Sequence, residues 1–387
     1  MYSRLISALF YMFFTCVILN PQVNGITLYF YLLIPFLDPE FARFLSGTAR
    51  RWAGPLLIAV VASALTSPSA AVRVLSIAIC IGYLMYTAER RISYLHPWMV
   101  INILFAIVQF AMYYIDRDFA MQLGPTNLAK LIWGNYATST YTNFFEVFYF
   151  ARVSGFSREA GFFSSLLVTS FIVYLLSDSP NKKIIAIYLI GLFISFSKSS
   201  MTLFLFAALY PVRARLRSVH PLMTMVAYFA VTAAISVYLA SNDFFDSETF
   251  GHRLAGYAFL FDARLGDIVS GITAHDIITH YKYLPYIRLI QGEMEDAGVP
   301  FAGLAATVAE MGIFSALILF GVIAFTASDG FVMLIFLLIS ATVSVTTVTS
   351  FIPLAYVICY WPRFSAYSAH RVELSRQFEP LPRYGKT

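Results

Sequence analysis

Charge is scarce in this chain. Asp, Glu, Lys and Arg make up 12% of its 387 residues, against roughly 25% in soluble domains. Hydrophobic residues make up 59%, more than one soluble core can hide, because such cores stop growing near roughly 250–300 residues. The pair excludes a cytosolic enzyme and a disordered chain. Cysteine is scarce as well. Cys16, Cys80 and Cys359 each lie inside an apolar block, which excludes a disulfide scaffold and marks packing residues. CxxC, HExxH and Walker-type glycine loops do not occur, so thiol-redox, zinc-hydrolase and nucleotide-phosphate chemistry lack their usual signatures. No internal repeat is visible, which weighs against inverted-repeat transporter folds.

What the chain has instead is long apolar blocks. They are continuous rather than alternating, which separates helical spans from a β-barrel. Twelve blocks, at about 5–20, 23–37, 54–67, 71–87, 99–115, 161–176, 183–197, 200–213, 221–240, 302–325, 331–349 and 351–361, predict an all-α, polytopic integral membrane protein with a single transmembrane domain over 1–387. The first block follows Arg4 and lacks a small-x-small site after it, so it reads as a first span rather than a cleaved signal. Alternating sides then gather Arg4, Arg43, Arg50, Arg51, Arg90, Arg91, Lys182, Lys183, Arg213, Arg215, Arg217 and a basic tail over 362–387 on one side. The positive-inside rule makes that side cytoplasmic and puts both termini there. The net charge of +5 is thereby accounted for by topology, without a nucleic-acid partner.

The two long loops, at about 116–160 and 241–301, fall on the opposite, extracytoplasmic side. ATP and nucleotide sugars are missing there, so an enzyme must use a substrate that arrives activated. A lipid-linked diphosphate sugar meets that requirement. Four constellations sit on or near this side. Arg152-Val-Ser-Gly155-Phe-Ser-Arg158-Glu159-Ala-Gly161 joins two arginines, whose planar forks suit diphosphate oxygens, to a carboxylate near a helix start; a topology anchor with an Arg158–Glu159 surface pair is the plainer alternative. Ser195-Phe-Ser-Lys198-Ser-Ser200 puts a cation beside a helix start, a phosphate-compatible setting, or simply a snorkelling lysine. Arg253, Leu254, Tyr257, Phe261, Arg264, Leu265 and Ile268 have the spacing of an amphipathic helix lying on the membrane, whose arginines face lipid headgroups. His275, Asp276, His280, Arg288 and the acidic Glu293, Glu295 and Asp296 continue the loop. Glu310, followed by Gly312, stands in the tenth block, where a carboxylate is costly and either functional or bonded to a neighbouring helix, and Gly312 permits close packing. Trp133, Tyr136, Tyr141, Phe144 and Phe145, among short polar side chains, suit sugar rings or an interfacial belt.

These pieces occur in this order in a known family. With RVSGFSREAG, SFSKSSM, HRLAGY, RLGDIVSGI and AATVAEMGIFSALILFG, the chain resembles the bacterial O-antigen and exopolysaccharide polymerases of the Wzy type, which share a superfamily with the O-antigen ligases. Arg152, Gly155, Glu159, Arg253, Glu310 and Gly312 match its motifs over about 150–325; Lys198 stands where arginine is commoner. The His-Asn pair usual in the ligase branch is missing before Glu310, which favours a polymerase. The resemblance implies a glycosyltransferase that joins polyprenyl-diphosphate-linked oligosaccharide units at the periplasmic face of the inner membrane. Arg152, Arg253 and Lys198, with Arg158 and Arg264 in support, would hold the diphosphate. Glu159, or secondarily His275, would be the general base. No cofactor and no metal is expected. The expected partners are the lipid-linked substrate, membrane lipid, and a chain-length regulator or export-complex protein. A ligase, a flippase for the same lipid and a structural export component are the alternatives.

Overall fold

The computed structural model describes residues 1–24, 26–138, 140, 144–147, 149–176, 180–245, 248–290 and 301–360. The expected basic tail over 362–387, the acidic cluster Glu293, Glu295 and Asp296, and Tyr141 lie outside them. The fold is all-α. Among the described residues its sheets are two small antiparallel hairpins, Gln22–Val23 with Ile26–Thr27 and Phe145–Val147 with Phe150–Arg152.

Among the described residues three helices are long and apolar enough, by length and composition, to cross a membrane: Pro68–Glu89, Leu95–Ile115 and Pro221–Ser241. Their outward faces are apolar too, as Leu104 and Val108 show on one and Met223 and Val231 on another. A helix apolar all round sits in a core or in lipid, and the protein is accordingly a membrane protein. Twelve conventional spans are not what the apolar blocks build. Ala160–Leu175, Ile313–Thr326, Gly330–Ser340 and Phe351–Tyr360 are apolar but short. At 1.5 Å per residue they reach only about 15–24 Å, less than the roughly 30 Å of a bilayer's hydrocarbon core.

The departures have local causes. Block 23–37 forms a hairpin and two 3-10 turns, Phe30–Leu32 and Ile34–Leu37. Pro35 removes an amide donor there, and the Asn20 side chain takes over helix hydrogen bonding, donating to Phe13 O and accepting from Phe30 N–H. Block 200–213 is α-helical over Met201–Leu209 and tightens into a 3-10 turn at Tyr210–Val212, where Pro211 falls. Block 302–325 is cut in two, Gly303–Met311 and Ile313–Thr326, by Gly312 at φ +75°. Block 331–349 stops at Ser340, and residues 341–350 cross without helix before Phe351–Tyr360 begins. That stretch is Ala-Thr-Val-Ser-Val-Thr-Thr-Val-Thr-Ser: its hydroxyls compete for backbone groups and its β-branched residues are stiff.

Elsewhere the starts are well signalled. Asp38, Ser67 and His220 accept amide hydrogen bonds as caps, each followed by proline at the first helical position, an arrangement that satisfies exposed donors and presets φ. One continuous core runs through the bundle and is rich in rings, with Phe10 against Phe14, Tyr31 and Tyr83. Ser7 Oγ donates to Ile92 O at 2.6 Å and the His96 ring packs 4.7 Å from Tyr174, which brings the Arg90–Arg91 and Lys182–Lys183 turns to one end. The second long loop folds into helices Glu248–Asp262, Leu265–Ser270, Ala274–Tyr281 and Pro285–Leu289 around a separate small core.

Candidate active site

Asn102 and Gln109 lie seven residues apart on Leu95–Ile115, two turns along one helix face, and both are fully buried. They hold the first motif. Gly155 N–H donates to Gln109 Oε1 at 2.9 Å, and Phe156 N–H donates to Asn102 Oδ1 at 2.8 Å. Asn102 Nδ2 in turn donates to Thr15 O. Gly155 sits at φ +54°, and a Cβ there would overlap Asn102 Oδ1, so glycine is required by conformation and by space. Neither amide was singled out from sequence; two amides at a seven-residue interval in an apolar block were the available signal. Asn102→Leu leaves the Phe156 amide and the Thr15 carbonyl without that partner. We expect it to cost about 2–3 kcal/mol, read as a lower melting temperature of the detergent-solubilised protein; an unchanged melting temperature would remove Asn102 from this role.

Beyond the turn, Glu159 stands at the N-cap position of Ala160–Leu175 without a side-chain capping bond, and its carboxylate folds over Gly161, 3.1 Å from where a Cβ would stand. Arg152 ends the second hairpin and is half-buried beside that carboxylate. Burial lowers its pKa and the Glu159 charge offsets part of the effect; an arginine keeps its charge under either influence. The second motif packs on the first. Phe196 stacks on Phe150 with centroids 5.0 Å apart. Ser165 and Ser164 of Ala160–Leu175 bond Ser199 and Ser200 at 3.1 and 3.3 Å. Exposed Lys198 lies at this junction. Arg158 lies over the Phe162 ring, 4.2 Å from its centroid.

The third and fourth motifs form a second assembly. Gly256 lets Glu248–Asp262 approach Phe301, and Tyr257 Oη stands 2.7 Å from where a Gly303 Cβ would be. Burial lowers the Arg253 pKa. The buried face of this helix is Ala255, Tyr257, Ala258 and Phe259, while Phe261 and Leu265 are exposed. Of the expected membrane-lying face, Tyr257 is taken up by protein packing, Phe261 and Leu265 stay exposed, and the helix breaks at Arg264. Tyr281 Oη receives a hydrogen bond from Arg264 N–H and donates to Asp267. Arg264 and His275 are exposed. Thr273 caps the helix carrying His275, and its hydroxyl holds the Asp276 pKa below the usual carboxylate value.

Glu310 is the penultimate residue of Gly303–Met311, at the Gly312 break rather than within a long helix. Its Oε2 lies 3.1 Å from Arg73 Nη2 and accepts from Thr346 Oγ1 at 3.0 Å and Ser344 Oγ at 3.3 Å. Nothing in the apolar block around Arg73 singles it out in the sequence. The helix-free stretch 341–350 joins the two assemblies. Ser344 and Thr346 reach Glu310, whereas Thr349, Ser350 and Phe351 line a recess with Ser157 and Arg158. An apolar groove of about 370 Å³ opens among Pro39–Thr66, Pro68–Glu89, Ile313–Thr326 and Phe351–Tyr360, beginning at Val74 beside Arg73. No family model, curated protein or solved structure matches the chain.

Proposed function

We propose that the chain is a Wzy-type glycosyltransferase that polymerises polyprenyl-diphosphate-linked oligosaccharide units at the periplasmic face of a bacterial inner membrane. The observation that carries this reading is the meeting of the Arg152–Glu159 pair with the Lys198 turn. Two cations and one carboxylate on these packed elements supply what the reaction needs. Cations stabilise the charge that develops on the departing diphosphate, and the carboxylate takes the proton of the attacking sugar hydroxyl. An incoming diphosphate competes with Glu159 for the Arg152 guanidinium and leaves the carboxylate to face the acceptor. The new glycosidic bond forms as the bond to the lipid diphosphate breaks. The resemblance assigns Arg253, on the second assembly, to the diphosphate as well. The apolar groove suits a hydrocarbon chain, and the basic turns at the other end suit a cytoplasmic face.

Purified protein incubated with its lipid-linked repeat unit is expected to give a product ladder spaced by one unit. A single unchanged band from folded protein would overturn the polymerase reading. Arg253→Ala is expected to lower the rate by about 10²-fold, the usual loss for one charge-stabilising donor; a normal ladder would take Arg253 out of the site. A flippase for the same lipid is the second reading, and the interrupted helices with the Arg73–Glu310 pair favour it, since broken helices and intramembrane charges mark transport paths. Lipid flipping in liposomes without a ladder would select it. A ligase would transfer a finished chain once instead of building a ladder.

A further inference from the structure

We propose that the recess formed by Ser157, Arg158, Thr349 and Ser350 is an oxyanion subsite that receives one phosphoryl oxygen of the lipid diphosphate. The proposal rests on the polymerase reading and adds to it the hydroxyl-rich stretch before Phe351–Tyr360. Three observations point to a ligand. Ser157 is 1% exposed and Thr349 8% exposed, and both hydroxyls are buried without a hydrogen-bond partner among the described residues. Buried hydroxyls are ordinarily paired, so two orphans lining one recess need an explanation. Second, Arg158 lines the same recess with its flat face against Phe162. A face-stacked guanidinium keeps its N–H donors directed in its own plane. Third, among the described residues no carboxylate lines the recess. A permanent cation with hydroxyl donors and no anion selects an oxyanion.

Size narrows the ligand. The recess has room of about 10 Å³, close to that of one water-sized sphere. A sugar ring does not fit, whereas a single oxygen projecting from a phosphate does. The Ser154–Ser157 turn is pinned through Gly155 and Phe156 to Gln109 and Asn102. On the other wall, Ile352 N–H donates to Thr349 O at 2.9 Å and Tyr31 Oη donates to Val348 O. Both walls are thus fixed before a ligand arrives, which limits the ordering cost of binding.

The test uses the full chain in detergent and calorimetric binding of three probes: polyprenyl diphosphate, polyprenyl alcohol and inorganic diphosphate. Wild type is expected to prefer the diphosphate lipid over the alcohol. Thr349→Val keeps the shape and removes the hydroxyl, and Ser157→Ala does the same from the other wall. Each is expected to weaken diphosphate-lipid binding about tenfold or more, as loss of a hydrogen bond to a charged group does, with alcohol binding and melting temperature maintained. A parallel loss for inorganic diphosphate would assign the recognition to the phosphate itself; a loss confined to the lipid form would assign it to phosphate positioned by the chain. Either supports the subsite. Wild-type diphosphate affinity in both variants would overturn the subsite while leaving the polymerase reading in place. Equal wild-type affinity for diphosphate lipid and alcohol would overturn both.

Discussion

Glu159→Gln is expected to stop polymer synthesis while leaving the lipid substrate bound. The substitution preserves size and hydrogen-bonding reach and removes the negative charge, and with it the capacity to accept a proton. General-base catalysis contributes about 10²–10⁴-fold, so the ladder should shrink to its first rung over the same incubation. Binding should move the other way. Glu159 stands beside the half-buried Arg152 guanidinium, and without that carboxylate Arg152 offers its charge more fully to the diphosphate. Affinity for polyprenyl diphosphate should therefore be unchanged or tighter. Calorimetry and single-turnover rates on the same preparation separate the two effects. Unchanged turnover would exclude Glu159 as the base, and lost binding would make it a structural residue at the start of Ala160–Leu175.

The second large effect is on folding. Gly312→Ala is expected to leave little monodisperse protein. Gly312 has φ +75°, where a side chain is strained, at about 1–2 kcal/mol. Its Cβ would also overlap the Val269 carbonyl and stand 3.1 Å from Gly271 N. Gly271, at φ +80°, faces it with equally little room, and Ile272 N–H donates to Ala309 O at 2.7 Å. The obstacle is backbone on both sides, which cannot turn aside as a side-chain tip does. A loss above about 4 kcal/mol follows, in the range kept for named structural failures. Gly321 is the control. It lies inside Ile313–Thr326 with nothing within 4 Å of a Cβ, so Gly321→Ala should raise stability by about 0.5–1 kcal/mol. Equal behaviour of the two variants on size-exclusion chromatography and in thermal unfolding would refute this account of the break.

The contrast between these glycines shows what sequence patterning reads well and what it misses. Helix content follows from runs such as Met-Val-Ile-Asn-Ile-Leu-Phe in Leu95–Ile115. The pattern could not tell a packing glycine from a helix break at Gly312, because hydropathy is the same for both. For the same reason it extended Gly330–Ser340 through Thr342, Ser344 and Thr346: valine and threonine lift apolar averages while resisting the helix. The site divides similarly. Arg152, Glu159 and Lys198 stand out because charge is rare in apolar surroundings. Arg73 and Glu310 are 237 positions apart, a separation that no local pattern encodes. Asn102 and Gln109 act through their amides on a backbone 54 and 46 positions later, so the binding partner is main chain, which carries no sequence signal at all.

Those separations also order events in time. A chain made from its N-terminus has Asn102 and Gln109 in place before the Gly155 turn exists, so the turn emerges to a receptor already built. Glu310 meets the opposite schedule. Arg73 precedes it, but Ser344 and Thr346 follow it by 34 and 36 positions. Until they are synthesised, its carboxylate has one of its three partners. Completion of the helix-free stretch is therefore the step that closes the charge network, and a chain halted shortly after Glu310 is left holding a carboxylate at the foot of a broken helix with only Arg73 to meet it.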